Sequence, residues 1–182
     1  MNFNDHSNLQ GMHALLSPSK YHWIRYDDEK IAQYFMNHMN VERGVRLHAY
    51  AEESINLGQK LPRSKKTLNM YVNDSIGYKM NPEQILFYSP YCFGTADSIS
   101  FDKNLLRIHD LKTGVTPAHV EQLEVYAALF CLEYNKKPKN IDMDLRIYQN
   151  DDVIYHEPDP EDVSNIMERI VSGDKIINNL EY

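Results

Sequence analysis

Two carboxylates and an amine stand near the middle of the chain: Asp97 in Gly94-Thr95-Ala96-Asp97, then Asp110 and Lys112 in Asp110-Leu111-Lys112-Thr113-Gly114. A Gln and a Tyr follow one helical turn apart, Gln122 and Tyr126 in Gln122-Leu123-Glu124-Val125-Tyr126. Converging carboxylates hold a divalent cation through oxygen, and a lysine beside them can steer a water or stabilise charge at a phosphodiester under attack. Asp110 and Lys112 are two apart and so share a face of any strand that carries them. Gln122 and Tyr126, four apart, share a face of a helix.

The surrounding pattern says which elements hold these side chains. Ile85 to Tyr91, Cys92 to Phe101 and Leu105 to Lys112 have the aromatic and β-branched content of strands. Ala118 to Tyr134 is apolar nearly all round and reads as a buried helix. Ile141 to Gln149 alternates like a half-buried strand, and Asn150-Asp151-Asp152 turns into a short strand at Val153 to His156. A last helix begins after Pro160, with Val163, Ile166, Met167, Ile170 and Val171 on one face. Upstream, Ser17 and Pro18 read as the N-cap and first position of a helix to Arg25. Further helices are expected over Asp28 to Asn40, Val41 to Leu57 with Gly58 as C-cap, and residues 65–80. The order is helices, three strands, helix, two strands, helix, which makes one α/β domain.

Register refines the chemistry. If Lys103-Asn104 is a two-residue turn, Phe101 faces Leu106, Ile99 faces Ile108 and Asp97 faces Asp110. One face then reads Phe101, Ile99, Asp97 against Leu106, Ile108, Asp110, Lys112, so the apolar stripe ends in the two carboxylates and the lysine. Poorly hydrated carboxylates side by side repel each other and rise in pKa unless a cation binds between them. Mg²⁺ or Mn²⁺ suits such an oxygen site, with waters and a backbone carbonyl, that of Leu111, as further ligands.

At 182 residues the chain is long enough for one domain with a full core. No stretch approaches the roughly 18 unbroken apolar residues of a membrane span. The first ten residues are polar and lack the apolar run of a signal peptide. Cys92 and Cys131 alone build neither a disulfide framework nor a four-cysteine metal site, so a reducing, cytoplasmic setting is expected. The net charge of -7 speaks against a uniformly basic nucleic-acid surface, yet it is unevenly spread. Residues 1–70 carry a small positive excess, and Arg43, Arg46, Lys60, Arg63, Lys65 and Lys66 crowd together. A phosphate grip needs only such a local surface; Arg43, Arg46, Lys65 and Lys66 are the candidates to contact DNA.

The motifs around Asp97, Asp110-Leu111-Lys112 and Gln122 to Tyr126 together resemble the catalytic core of the PD-(D/E)XK nuclease superfamily. They are most similar to its RecB-like branch, which includes recombination exonucleases and the nucleases of CRISPR adaptation. The resemblance covers roughly residues 17–171, with the motifs in family order. Gly44-Val45-Arg46-Leu47-His48 is similar to the branch's upstream motif, whose His joins the metal shell; Glu52, one turn on, is an additional candidate. His6, His13, His22, His38, His109, His119 and His156 have no comparable context. Ser17-Pro18-Ser19-Lys20 resembles the start of RecB-like domains. There a cysteine commonly follows and joins three others around an iron–sulfur cluster; this chain lacks those cysteines, so no cluster is expected. No Gly-x-x-x-x-Gly-Lys-Ser/Thr loop marks an appended helicase.

The resemblance implies a single restriction-endonuclease-like domain: a central mixed sheet flanked by helices, with extra N-terminal helices and residues 1–16 flexible or accessory. It implies an Mg²⁺- or Mn²⁺-dependent deoxyribonuclease leaving 5′-phosphates, in a prokaryotic or phage-infected cell. Asp97, Asp110 and His48 would hold metal, Lys112 would be the catalytic lysine, and Gln122 and Tyr126 would position substrate. DNA is the expected partner, with a recombination or single-strand-annealing protein and self-assembly as further candidates. An exonuclease is the first reading; a structure-specific or nicking endonuclease and a non-catalytic binding module are the alternatives.

Overall fold

The computed structural model describes residues 5–9, 11, 12 and 14–180. His13 and parts of the polar N-terminus discussed above lie outside this set. The chain divides into two compact units, Met1–Val45 and Arg46–Tyr182.

The N-terminal unit holds 3-10 turns at Ser7–Leu9 and Pro18–Arg25 and the first part of helix α1 (Asp28–Asn56). The expected helix at Pro18 is a 3-10 segment with a kink at Lys20, because Ser17 Oγ bonds Ser19 Oγ rather than capping a backbone N–H. Asp27 makes the cap of α1 instead, its carboxylate accepting the Lys30 N–H at 2.8 Å. The two helices expected over residues 28–57 are one. Gly44 alone costs about 1 kcal/mol in a helix and does not break it. The helix ends where expected: Gly58 is left-handed, and the Gln59 and Gly58 N–H groups reach back to Ser54 and Ile55 in a Schellman closure.

In the second unit α2 (Thr67–Gly77) is followed by a five-stranded mixed sheet, ordered β1 (Asn81–Ser89), β2 (Cys92–Asp102), β3 (Leu105–Leu111), β4 (Asp142–Gln149), β5 (Asp152–His156). Neighbours are antiparallel except β3 and β4, which run parallel and so need a crossover. Helix α3 (Glu121–Glu133) makes it, and α4 (Pro160–Leu180) packs on α3. Lys103-Asn104 is a two-residue turn with both residues at positive φ, and Phe101↔Leu106 and Ile99↔Ile108 pair as the register argument requires.

Period-two alternation sends Leu106, Ile108, Leu145 and Ile147 to the α3 side, against Leu123, Ala127 and Phe130. Burying each such side chain contributes about 2 kcal/mol. The opposite side packs Leu111 and Tyr148 against Ala51 and Ile55 of α1 and Tyr71 and Val72 of α2. β4 alternates as expected, with Met143, Leu145 and Ile147 buried and Asp142, Asp144 and Arg146 more exposed, until Tyr148 and Gln149, where both faces are covered. Its polar residues Asp144 and Arg146 join a cluster of their own. Between β3 and α3, Gln149 pins the loop: its amide donates to the carbonyls of Gly114 and Thr116 and accepts from Ala118 N–H. Among the described residues no helix is long and apolar enough to cross a membrane.

Candidate metal centre

Backbone pairing of β2 with β3 ends at Ser98↔His109, one residue short of Asp97 and Asp110. There a side chain takes over the ladder: Leu111 N–H donates to Asp97 Oδ2 at 2.7 Å. That bond leaves Asp97 Oδ1 facing His48 of α1, whose Nδ1 lies 3.7 Å away. Glu83 of β1 completes the group, with Oε1 4.0 Å from the same Nδ1. One ligand atom from each of His48, Glu83 and Asp97 lies within 4.8 Å of the other two. An octahedral ion with bonds near 2.1 Å would set its ligands about 3.0 Å apart in cis and about 4.2 Å in trans, and the 3.7 and 4.0 Å separations from His48 lie between the two.

Electrostatics at this group favours a cation. Burial holds the Asp97 carboxyl well above its ordinary range, and the neighbouring Asp110 adds to the rise; His48 and the Leu111 N–H pull the other way. Burial also raises Glu83, opposed by His48 and reinforced by Glu52. Among the described residues no Lys or Arg forms an ion pair with either carboxylate.

Asp110 and Lys112 form the second half of the site. Asp110 is only 4% exposed, and Lys112, two residues on and on the same face, folds back so that Nζ lies 3.1 and 3.0 Å from its two oxygens. The same Nζ donates to Gln122 Oε1 of α3 at 3.0 Å. Asp110 is thus engaged by Lys112 and is not one of the three residues whose ligand atoms converge. Glu52 also stands outside it, near enough to act on Glu83 through charge. Leu111 takes part here through its N–H, in the bond to Asp97.

Tyr126 turns its hydroxyl to the β2 backbone, donating to the Thr95 carbonyl at 2.7 Å, two residues before Asp97. Its ring lies over Gly94, where a Cβ would sit 3.0 Å from Cε1. A side chain at Gly94 would make the Tyr126 ring give way by a few tenths of an ångström. Arg46 and Lys65 are exposed, as is Arg43 in the N-terminal unit. Lys66 is paired with Asp151 at 2.8 Å, so of the four it offers least to a phosphate.

Sequence reasoning missed Glu83. The strand was expected from Ile85, and it begins at Asn81 because an edge strand tolerates Pro82. No known protein family, curated protein or solved structure matches the chain.

Proposed function

We propose that this chain is a cation-dependent deoxyribonuclease with a restriction-endonuclease-like domain of the PD-(D/E)XK kind, hydrolysing phosphodiester bonds to leave 5′-phosphates. The observation that carries the reading is Lys112 Nζ held between Asp110 and Gln122 at the end of β3, beside the strand of the half-buried Asp97 carboxylate. Mg²⁺ or Mn²⁺, held by Asp97 and His48 with Asp110 and the Leu111 carbonyl as further ligands, would supply Lewis-acid charge at a phosphoryl oxygen and acidify water.

The chain's own groups do the rest. An ammonium has three donors. Asp110 and Gln122 occupy two of those on Lys112, leaving one to meet the charge that builds on phosphate oxygens during in-line attack. Gln122 therefore aims the lysine. Tyr126 fixes the β2 backbone next to Asp97 and so holds that carboxylate in place. The exposed Arg43, Arg46 and Lys65 offer sequence-independent phosphate contacts.

Within this reading the enzyme is an exonuclease acting on DNA ends in phage or recombination processing, in the cytoplasm, alone or with an annealing protein. Incubation with end-labelled linear and closed circular DNA, in Mg²⁺, Mn²⁺ or EDTA, tests it. Cation-dependent loss of the linear substrate is expected, with Lys112→Ala slower by about 10²–10³-fold. Cleavage unaffected by EDTA, or an Ala variant as fast as the parent, would overturn the mechanism. Cutting of the closed circle would replace the exonuclease with the endonuclease.

A further inference from the structure

Glu83 is placed by an unusual backbone. Its φ is +48°, and among the described residues it is the one non-glycine with positive φ inside a strand; Lys79, Lys103, Asn104, Asn135, Asn150 and Asp151 all sit at turns or helix ends. Pro82↔Ser98 and Gln84↔Ala96 pair on either side of it, which sets Glu83 directly opposite Asp97. A left-handed conformation is costly for a side chain like Glu, and Gly would avoid that cost. Here the carboxylate is delivered to His48 Nδ1 and close enough to Asp97 to raise its pKa by like charge, rather than to a lysine or arginine. On the other side of Asp97, Asp110 Oδ2 is sealed from solvent and accepts no hydrogen bond, though Lys112 Nζ lies 3.0 Å away.

We propose that Glu83 is a direct cation ligand which, with His48 and Asp97, makes a position that prefers Mn²⁺ to Mg²⁺. Two carboxylate oxygens and one imidazole nitrogen form a mixed donor set; nitrogen is a better ligand for Mn²⁺, whereas Mg²⁺ favours oxygen and water. The role of the ion in catalysis rests on the nuclease reading, but the site itself is measurable without DNA.

The test is Mn²⁺ titration of the full chain, following the electron paramagnetic resonance of free Mn²⁺ and the cation-induced rise in Tm, for wild type, Glu83→Gln, Glu83→Gly and Lys112→Ala. Wild type should bind Mn²⁺ at least about tenfold more tightly than Mg²⁺. Glu83→Gln should weaken Mn²⁺ by at least about tenfold, and Lys112→Ala, which frees Asp110, should bind Mn²⁺ at least as tightly as wild type does while cleaving far more slowly. Glu83→Gly guards against a folding artefact: it relieves the left-handed residue, so its Tm in EDTA should equal or exceed that of wild type, with no Mn²⁺-induced rise. Wild-type affinity in Glu83→Gln, or equal affinity for the two ions in wild type, would overturn the proposal. Failure of wild type to cut DNA while these binding differences hold would sink the nuclease reading alone.

Discussion

His109 and Asp110 are neighbours on β3, both buried, and they point to opposite sides of the sheet into two polar clusters of different character. On the His109 side the charges close on each other. Arg146 grips Asp144 with two hydrogen bonds of 2.8 and 2.7 Å, reaches toward Asp74 and the Tyr78 hydroxyl, and lies over the rings of Tyr78 and Tyr155. Arg107 also pairs with Asp144 and covers Tyr78 from 4.4 Å. Tyr148 bridges to Asp74, with its hydroxyl 3.3 Å from His109 Nδ1. On the Asp110 side Lys112 is the one lysine or arginine that pairs with Asp97, Glu83 or Asp110 among the described residues, and Glu83 and Asp97 are left with raised pKa values. A cluster that balances its own charges holds a fold together; one that leaves like charges facing each other is suited to receive a cation from outside.

Acid should separate the two clusters most. Burial pushes the His109 pKa down to about 3, with Arg146 adding to the fall. A histidine depressed in the folded state contributes stability that is complete above its unfolded value near 6.5 and is lost as pH falls toward 3. Asp97 has the opposite sign: a carboxyl raised in the folded state contributes at acid pH, and that contribution disappears as pH rises through the raised value. Urea unfolding in EDTA at pH 4 and 7.5 should show the change in stability on acidification to be less favourable for wild type than for His109→Phe by a few kcal/mol, since Asp97 acts alike in both. Equal acid losses in the two proteins would show that the His109 cluster does not govern this limb.

Next in size is Arg146→Ala. It leaves the half-buried Asp144 with Arg107 alone and should cost about 1–2 kcal/mol in urea unfolding, with the proposed DNA cleavage by the folded protein nearly unchanged. Asp97→Asn should do the reverse. It removes a repelling carboxylate while its amide oxygen still accepts the Leu111 N–H, so stability without cation should rise by about 1 kcal/mol as cleavage is lost. A fall in both quantities would place Asp97 with the structural cluster. The smallest effect belongs to Tyr126→Phe, which loses one hydrogen bond to Thr95 and should cost about 1 kcal/mol or less, read as a shift in the urea midpoint.

Much of this was legible from residues close in the chain. Alternation and helical spacing identified the elements, and the Lys103-Asn104 turn set the β2–β3 register, because a two-residue turn leaves the flanking strands one way to pair. That register, with the period-two rule, brought Asp97 to the end of the hairpin and put Asp110 and Lys112 on one face. Gly94 stood out in the sequence, but its reason is the ring of Tyr126.

What the sequence did not reveal depends on contacts between distant segments. The polar face of β4 reads as solvent-facing by alternation, yet α2 and the neighbouring strands make it a self-paired cluster. Lys66 reads as a free cation, yet the β4–β5 turn brings Asp151 to it. Glu83 is the clearest case. Pairing leaves the β1–β2 turn at Ser89↔Cys92, and an irregularity between Phe87 and Ser89 shifts the register by one before Phe87↔Phe93. Unshifted, Glu83 would oppose Ser98; shifted, it opposes Asp97. A one-residue slip is invisible in a pattern of period two read strand by strand, and it changes which residues meet. The sequence by itself determined two aspartates, a lysine and a histidine able to serve a cation. Only the tertiary structure decided that Asp110 turns to Lys112, and that His48, Glu83 and Asp97 come together.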